Sequence, residues 1–319
     1  MEKYGLHQVT IPLPFRLNHV HCYLAQNGEG WTIVDTGLNR EETRRAWEEA
    51  FSACGIHPEK SIHGIILTHY HPDHFGYAGA MQEWTGANIH MNEAAKKIAL
   101  DAWTEATFAR NKRFVRAAGV PEDIAASLEE NDQAFYSLVR PFPERIGALR
   151  EGEHYRIGEL MYEAIHTPGH AEGHICFYNK EEKILIAGDH VLKKITPNIS
   201  YHGYGDENPL KTYLESLKKV QSLDVALVLP GHGPIFTDFH ERVAEIIGHH
   251  EERLGFILEH IKGHMTAFQI SCSLFNRELS VHEQRFAMGE TIAHLNYLLS
   301  EDEIQKAEDE KGILHYSII

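Results

Sequence analysis

Apolar and polar positions along this chain fall into short strand-like runs that alternate with stretches of helical spacing. Residues 9–13 alternate weakly, and residues 19–24 lead through Asn27-Gly28-Glu29-Gly30 into the apolar run 31–34. That arrangement predicts a β-hairpin around a glycine-containing turn. Apolar spacing over residues 40–54 predicts an amphipathic helix ended by Gly55. Ile65-Ile66-Leu67 reads as a buried strand, residues 77–84 as a helix and residues 87–91 as another strand. From Asn92 to about Leu149 the pattern turns helical, with residues 94–118 and 121–139 as two long helices separated by Gly119-Val120-Pro121. Strand-like runs resume at 163–165, 175–178, 184–187 and 223–229, followed by a helix over 237–262. Residues 266–275 and 281–299 read as two further helices. After them 303–304 can pair with 313–316 across the turn Asp309-Glu310-Lys311-Gly312. Strand–helix–strand order from the start marks an α/β chain.

At 319 residues and 43% hydrophobic, the chain can bury one large core, or one large and one small. No apolar run approaches ~20 residues, and Met1-Glu2-Lys3-Tyr4-Gly5 lacks the basic and apolar regions of a signal peptide. A cytoplasmic protein is expected, with no membrane partner. Cys22, Cys54, Cys176 and Cys272 form no C-x-x-C pair, so neither a disulfide scaffold nor a thiolate metal site is suggested. The formal net charge of −16 opposes non-specific binding to nucleic acid or an anionic membrane, although it leaves room for a local basic patch. The 24 histidines are the compositional oddity.

The chemistry concentrates where the run Ile65-Ile66-Leu67 ends in Thr68-His69-Tyr70-His71-Pro72-Asp73-His74. Imidazole and carboxylate groups suit borderline and hard divalent cations, and four of them stand here on one loop stiffened by Pro72. As a mere polar turn, so dense a cluster would have no reason. Related turns recur at Asp35-Thr36-Gly37, His166-Thr167-Pro168-Gly169-His170-Ala171-Glu172-Gly173-His174, Gly188-Asp189-His190 and Pro230-Gly231-His232-Gly233-Pro234. Each time an apolar strand stops at a turn that presents a His or an Asp.

The pattern H-x-H-x-D-H resembles the signature of the metallo-β-lactamase superfamily, and the resemblance extends from about Val9 to Phe236 through five separated motifs in order. It implies an α/β fold, a four-layer αββα sandwich, here with a helical insertion at about 92–149. It further implies two divalent metal ions, zinc before manganese or iron. One would be held by His69, His71 and His170, the second by Asp73, His74 and His232, and Asp189 would bridge them. A shared water or hydroxide would attack without a serine or cysteine nucleophile, and Asp73, the candidate catalytic residue, would both ligate and orient it. Asp35 reads as a helix N-cap by position, whereas the resemblance makes it a buried carboxylate behind the ligands. His174 is expected to donate a hydrogen bond behind the ligands and His166 to pack at a strand end. His190 and the His249-His250 pair are expected at the surface.

Departures from neighbouring branches narrow the chemistry. The oxygen-reducing members carry Glu where His71 stands, which favours a hydrolase. Lactonase-like members place a Tyr where Leu192 follows Asp189, and the glyoxalase II type has a basic helical C-terminus unlike the acidic one here. The segment from Asp189 to His232 is too short for the inserted clamp of the nuclease branch. Helix, helix and hairpin near the C-terminus resemble a winged helix, so the expected domains are 1–250, catalytic, and 251–319, winged-helix-like. The expected activity is dinuclear, metal-dependent hydrolysis of a small ester or thioester. Alternatives are a phosphodiesterase or endoribonuclease acting on RNA, and a metal-sensing DNA-binding regulator. Lys193 and Lys194 either meet an anionic substrate or stand in solvent. In the insertion, Trp103, Phe108 and Phe114 mix with Arg110, Lys112, Arg113 and Arg116, which suits either a packed helical pair or a lid. Duplex DNA is an unfavourable partner, because residues 281–299 carry Arg285 as their only Lys or Arg. Phe286, Ile292, Leu295, Leu298 and Leu299 suit packing on the catalytic domain or a homodimer.

Overall fold

The computed structural model describes residues 1–28 and 30–319, with Glu2 as backbone alone; Glu29, in the expected hairpin turn, lies outside the described residues. Strands β1 (Leu6–Pro12), β2 (His19–Asn27) and β3 (Gly30–Val34) form an antiparallel meander. Helices α1 (Glu41–Ala53) and α2 (Pro58–Ser61) return the chain to β4 (Ile62–Ile66), which pairs parallel with β3. After α3 (Pro72–Phe75) and α4 (Ala78–Thr85), β5 (Asn88–Met91) extends the sheet in parallel.

The stretch expected to be an insertion holds three helices, α5 (Glu93–Asp101), α6 (Glu105–Ala117) and α7 (Glu122–Phe135), before β6 (Ile146–Ala148) closes the first sheet. The single helix expected over 94–118 is thus divided. Thr104 explains the break: its hydroxyl accepts the Thr107 N–H at 3.3 Å and caps a new helix. Four antiparallel strands follow, β7 (His154–Ile157), β8 (Leu160–His166), β9 (Ile175–Asn179) and β10 (Ile184–Gly188). An unanticipated helix, α8 (Pro209–Gln221), leads to β11 (Leu227–Pro230), parallel to β10 and shorter than the expected 223–229 run.

Helix α9 (Phe239–His260) precedes β12 (Met265–Thr266), α10 (Ala267–Leu274), α11 (Val281–Ser300), β13 (Ile304–Glu308) and β14 (Leu314–Ile318). The three strands pair in the order β12-β14-β13. The division expected between residues 250 and 251 lies inside α9, which runs unbroken across it.

Three buried clusters define the layers. Between the sheets lie Leu6, Tyr23, Val34 and Ile66 from one side and Tyr162, Ile175, Phe177, Ile186 and Leu229 from the other. Each such side chain contributes on the order of 1.5–3 kcal/mol by leaving water. On the outer face of the first sheet, Trp47 and Phe51 of α1 and Met81 of α4 cover Ile33, Ile65 and Ile89. On the outer face of the second, Leu185 and Val228 are covered by Tyr213 and Leu217 of α8, Val243 and Ile246 of α9, and Ile292, Leu295 and Leu298 of α11. The architecture is an αββα sandwich, and the C-terminal helix shares a core with its last layer.

Candidate metal centre

Every motif turn leaves the carboxyl end of a strand: Asp35 after β3, His69 after β4, His170 after β8, Asp189 after β10 and His232 after β11. Because the two sheets face each other, these ends converge on one rim. The ligand atoms of His69, His71 and His170 lie within 4.8 Å of one another, as do those of Asp73, His74 and His232, and those of His69, His74 and Asp189. All the expected site residues are therefore brought together. Asp189 stands between the two groups, with Oδ1 3.4 Å from His74 Nε2 and Oδ2 3.2 Å from His232 Nε2 and 3.6 Å from His170 Nε2. Asp73 Oδ2 lies 3.2 Å from His232 Nε2, and His71 Nδ1 2.9 Å from His170 Nε2.

The histidines are oriented from behind. A backbone carbonyl can only accept, so the His170 Nδ1–H donates to Asn198 O at 2.8 Å and the His232 Nδ1–H to His19 O at 2.6 Å, which turns both Nε2 atoms towards the centre. Asp35 does the same for His74. Its carboxylate accepts the His74 Nδ1–H, the Thr68 N–H and the Thr68 hydroxyl, each at 2.8 Å. With its hydroxyl proton committed to Asp35, Thr68 Oγ1 accepts from His69 Nδ1 at 3.0 Å. Asp35 is thus a buried buttress and caps no helix, since α1 begins only at Glu41.

Two glycines make this closeness possible. A Cβ on Gly188, at φ +49°, would meet His174 Nε2 at 2.7 Å, and one on Gly231 would meet Asp189 Oδ1 and His74 Cε1. His174 lies behind Asp189, where its Nε2 accepts the Asp189 N–H at 3.2 Å. Its Nδ1–H then goes to Thr167 Oγ1 at 2.9 Å. His166 ends β8 half-buried, as strand-end packing requires.

Two surface expectations fail. His190 is fully buried, because the Ala187–His190 turn folds it under α8 against the Tyr213 ring at 5.4 Å. His250 is also fully buried, its Nδ1 3.1 Å from His294 Nε2 where α9 packs on α11; its neighbour His249 is half-buried. Thr68, Asn198 and His19 were not among the expected site residues. Thr68 stands beside the first ligand in sequence, whereas Asn198 and His19 act through carbonyls, which no residue type announces.

The donor set fits divalent cations. His69 Nε2, His74 Nε2 and Asp189 Oδ1 are buried without a hydrogen-bond partner, a state that costs roughly 1–3 kcal/mol per group unless something fills it. Burial alone would raise Asp73 and Asp189, yet His74 and His232 hold both carboxyls below the usual carboxylate range. Conversely, burial works against protonating His232, but Asp189 and Asp73 push it up to about 10, and Asp189, Asp35 and Asp73 raise His74 likewise. Burial depresses His69 and His170, and takes His71 down to about 3. The carboxylates thus call for positive charge, which protons on two histidines supply until a cation displaces them. Because those protons are held above the ordinary histidine range, zinc affinity is expected to keep rising with pH beyond that range, towards the value of about 10 at which His232 gives up its proton. Calorimetry in buffers of different ionisation enthalpy should show protons released on binding. A pH-independent affinity would contradict this.

Comparison with known proteins agrees with the geometry. Residues 16–232 match the metallo-beta-lactamase superfamily model and residues 254–319 match the metallo-beta-lactamase-like C-terminal domain. A metallo-beta-lactamase family protein from Thermus thermophilus is 32% identical, with a TM-score of 0.87 over 99% of both chains. A probable metallo-hydrolase from Bacillus subtilis is 28% identical over 93% of this chain and 92% of its own length. An atrochrysone carboxyl ACP thioesterase from Aspergillus fumigatus is 23% identical over 76% of this chain and 59% of its own length. The chain belongs to the metallo-β-lactamase superfamily. It is one of the superfamily's metal-dependent hydrolases.

Proposed function

We propose that this enzyme hydrolyses a small ester or thioester with two divalent cations, zinc in the first place and manganese or iron as alternatives. His69, His71 and His170 would hold one, Asp73, His74 and His232 the other, with Asp189 shared. When bound, such a pair supplies Lewis-acid activation of water and stabilisation of developing negative charge. The observation that carries the substrate reading is the closure of the site. Side chains of His232, Asp189 and Asp73 are only 2%, 8% and 22% exposed, a closure that favours a slender acyl group over a folded polymer. Asp73, the most open of the three, would both ligate a cation and orient the incoming water. Water adds to the acyl carbon, the carbon–sulfur or carbon–oxygen bond breaks, and the leaving group takes up a proton. A thioesterase among the relatives supports the same class.

The proposed wall of the cleft draws on three parts of the chain. Phe15, Phe135 of α7 and His282 of α11 stack with centroids 4.5 Å (Phe15–His282) and 5.2 Å (Phe135–His282) apart. Burial and Arg285 hold the His282 imidazole low against the pull of Asp73, a pull that supports a position for this stack near the ligands. Neighbouring cations are engaged: Arg285 with Asp132 at 2.5 Å, Lys193 with Asp238, Lys112 with Glu129 and Arg116 with Glu122. With the net charge of −16, that pairing supports a small substrate over RNA.

The C-terminal order of strand, two helices and hairpin supports a winged-helix reading of residues 251–319, with 1–250 as the catalytic part. Its α11, however, is buried from Ala287 to Leu295 and packs on α8, which supports a structural role over duplex DNA binding or an obligate homodimer. Among the described residues no helix is long and apolar enough to cross a membrane, and a cytosolic location is part of the proposal.

A panel of thioesters, carboxyl esters, lactones, phosphodiesters and single-stranded RNA, each with a chelated control, tests the reading. Chelator-sensitive thioester or ester turnover is expected; turnover confined to phosphodiesters or RNA would overturn it. On the best substrate, Phe135→Ala should lower kcat/KM about tenfold, roughly 1.4 kcal/mol. Phe108→Ala should change it less than about twofold, since Phe108 lines a separate pocket between α6 and α7 with Val115 and Leu128. Equal effects would remove Phe135 from the wall.

A further inference from the structure

The two halves of the centre are supported differently. His74 is held by Asp35, and His232 by the His19 carbonyl, both within the amino-terminal meander and its following turn. His170 instead depends on the carbonyl of Asn198, which lies in the irregular stretch between β10 and α8 where no ladder fixes the backbone. Arg242 of α9 donates to Leu192 O and Ile195 O earlier in the stretch, and two contacts from α11 reach Asn198 and Tyr201. The Asn198 side-chain amide donates to Glu290 Oε2 at 2.9 Å, and the Tyr201 N–H donates to Gly289 O at 3.0 Å. Gly289 permits this approach, because a Cβ there would lie 2.8 Å from Ser200 Cβ and 2.6 Å from His202 Cε1. Glu290 is itself buried, and its other oxygen accepts the Arg253 guanidinium from α9.

A buried carboxylate is costly unless it is paired, and this one is paired on both oxygens, so its position is over-determined. The line of contact runs from α9 and α11 through Asn198 to the imidazole that faces Asp189. We propose that Glu290 is a positioning residue for His170, so that the C-terminal region sets the cation affinity of the His69, His71 and His170 half alone. This rests on the ligand reading given above. Rotating the His170 ring by loosening Asn198 costs that half its third donor, while His74 and His232 keep their own supports.

The test uses the full chain carrying Glu290→Ala or Glu290→Gln, with the exposed Glu252→Gln as control. Bound zinc is measured after equilibration in buffers of graded free zinc, cobalt(II) absorption is followed during titration, and thermal unfolding is recorded alongside. Wild type and Glu252→Gln should hold two equivalents. Glu290→Ala should bind one equivalent normally and the other about 10- to 100-fold more weakly, with cobalt absorption growing in two resolved steps. Glu290→Gln, which keeps an acceptor for Asn198, should recover part of the loss, and it carries the test if the alanine variant does not fold. Equal weakening of both equivalents, or a lowered unfolding temperature with unchanged zinc binding, would overturn the positioning role. A wild-type chain that binds no zinc would instead overturn the ligand reading itself.

Discussion

Replacement of Asp189 by alanine is expected to lower kcat/KM by at least about 10³-fold, some 4 kcal/mol of transition-state stabilisation. Its two oxygens face His74, His170 and His232 within 3.6 Å. No other carboxylate among the described residues lies within ion-pairing distance of all three. Without it both halves of the donor set lose a shared anion, and His74 and His232 lose the carboxylate that raises them. The backbone need not move, because the Asp189 N–H would still reach His174 and the glycines at 188 and 231 are untouched. Steady-state kinetics on the best panel substrate, with circular dichroism to confirm the fold, checks this. Activity within tenfold of wild type would show that Asp189 is not central.

Asp35→Ala should act mainly on stability. It removes the acceptor of three hydrogen bonds and leaves the Thr68 N–H, the Thr68 hydroxyl and the His74 Nδ1–H buried without it. Removing one partner of a buried pair costs about 3–5 kcal/mol. Asp35 also sits at φ 60°, a left-handed conformation in which alanine adds about 1 kcal/mol more strain than aspartate or asparagine. Chemical denaturation should show the midpoint fall with unchanged slope, and zinc affinity should drop with it. Asp35→Asn, which tolerates the same backbone and keeps one acceptor oxygen, should lose clearly less. Equal stability of Asp35→Ala and wild type would mean the buttress is not needed.

What the sequence makes legible here is what is local. Each ligand follows an apolar run within a few residues, so the five turns and their side chains can be read in order, and the structure gathers all of them. Asp35 was legible as a choice between two roles, which only its partners Thr68 and His74 decide. Burial at a distance is not local. His190 and His250 look like the other histidines of a histidine-rich chain, and only the packing of α8 over the turn and of α9 on α11 buries them. Helix α8 did carry a signal. Leu210, Tyr213, Leu214, Leu217 and Val220 recur at helical spacing behind Asn208, whose side chain accepts the Lys211 N–H. The link from Glu290 to His170 joins residues distant in the chain through a carbonyl, and nothing in residue type reveals it.

Two cations held by these side chains would survive purification of the protein. Elemental analysis of the full chain, purified without chelator and exchanged into metal-free buffer, tests it most directly. About two equivalents of zinc, manganese or iron per chain are expected for the wild type, and fewer for Asp189→Ala. A folded wild-type chain that carries no metal and takes up none when zinc is supplied would contradict the account.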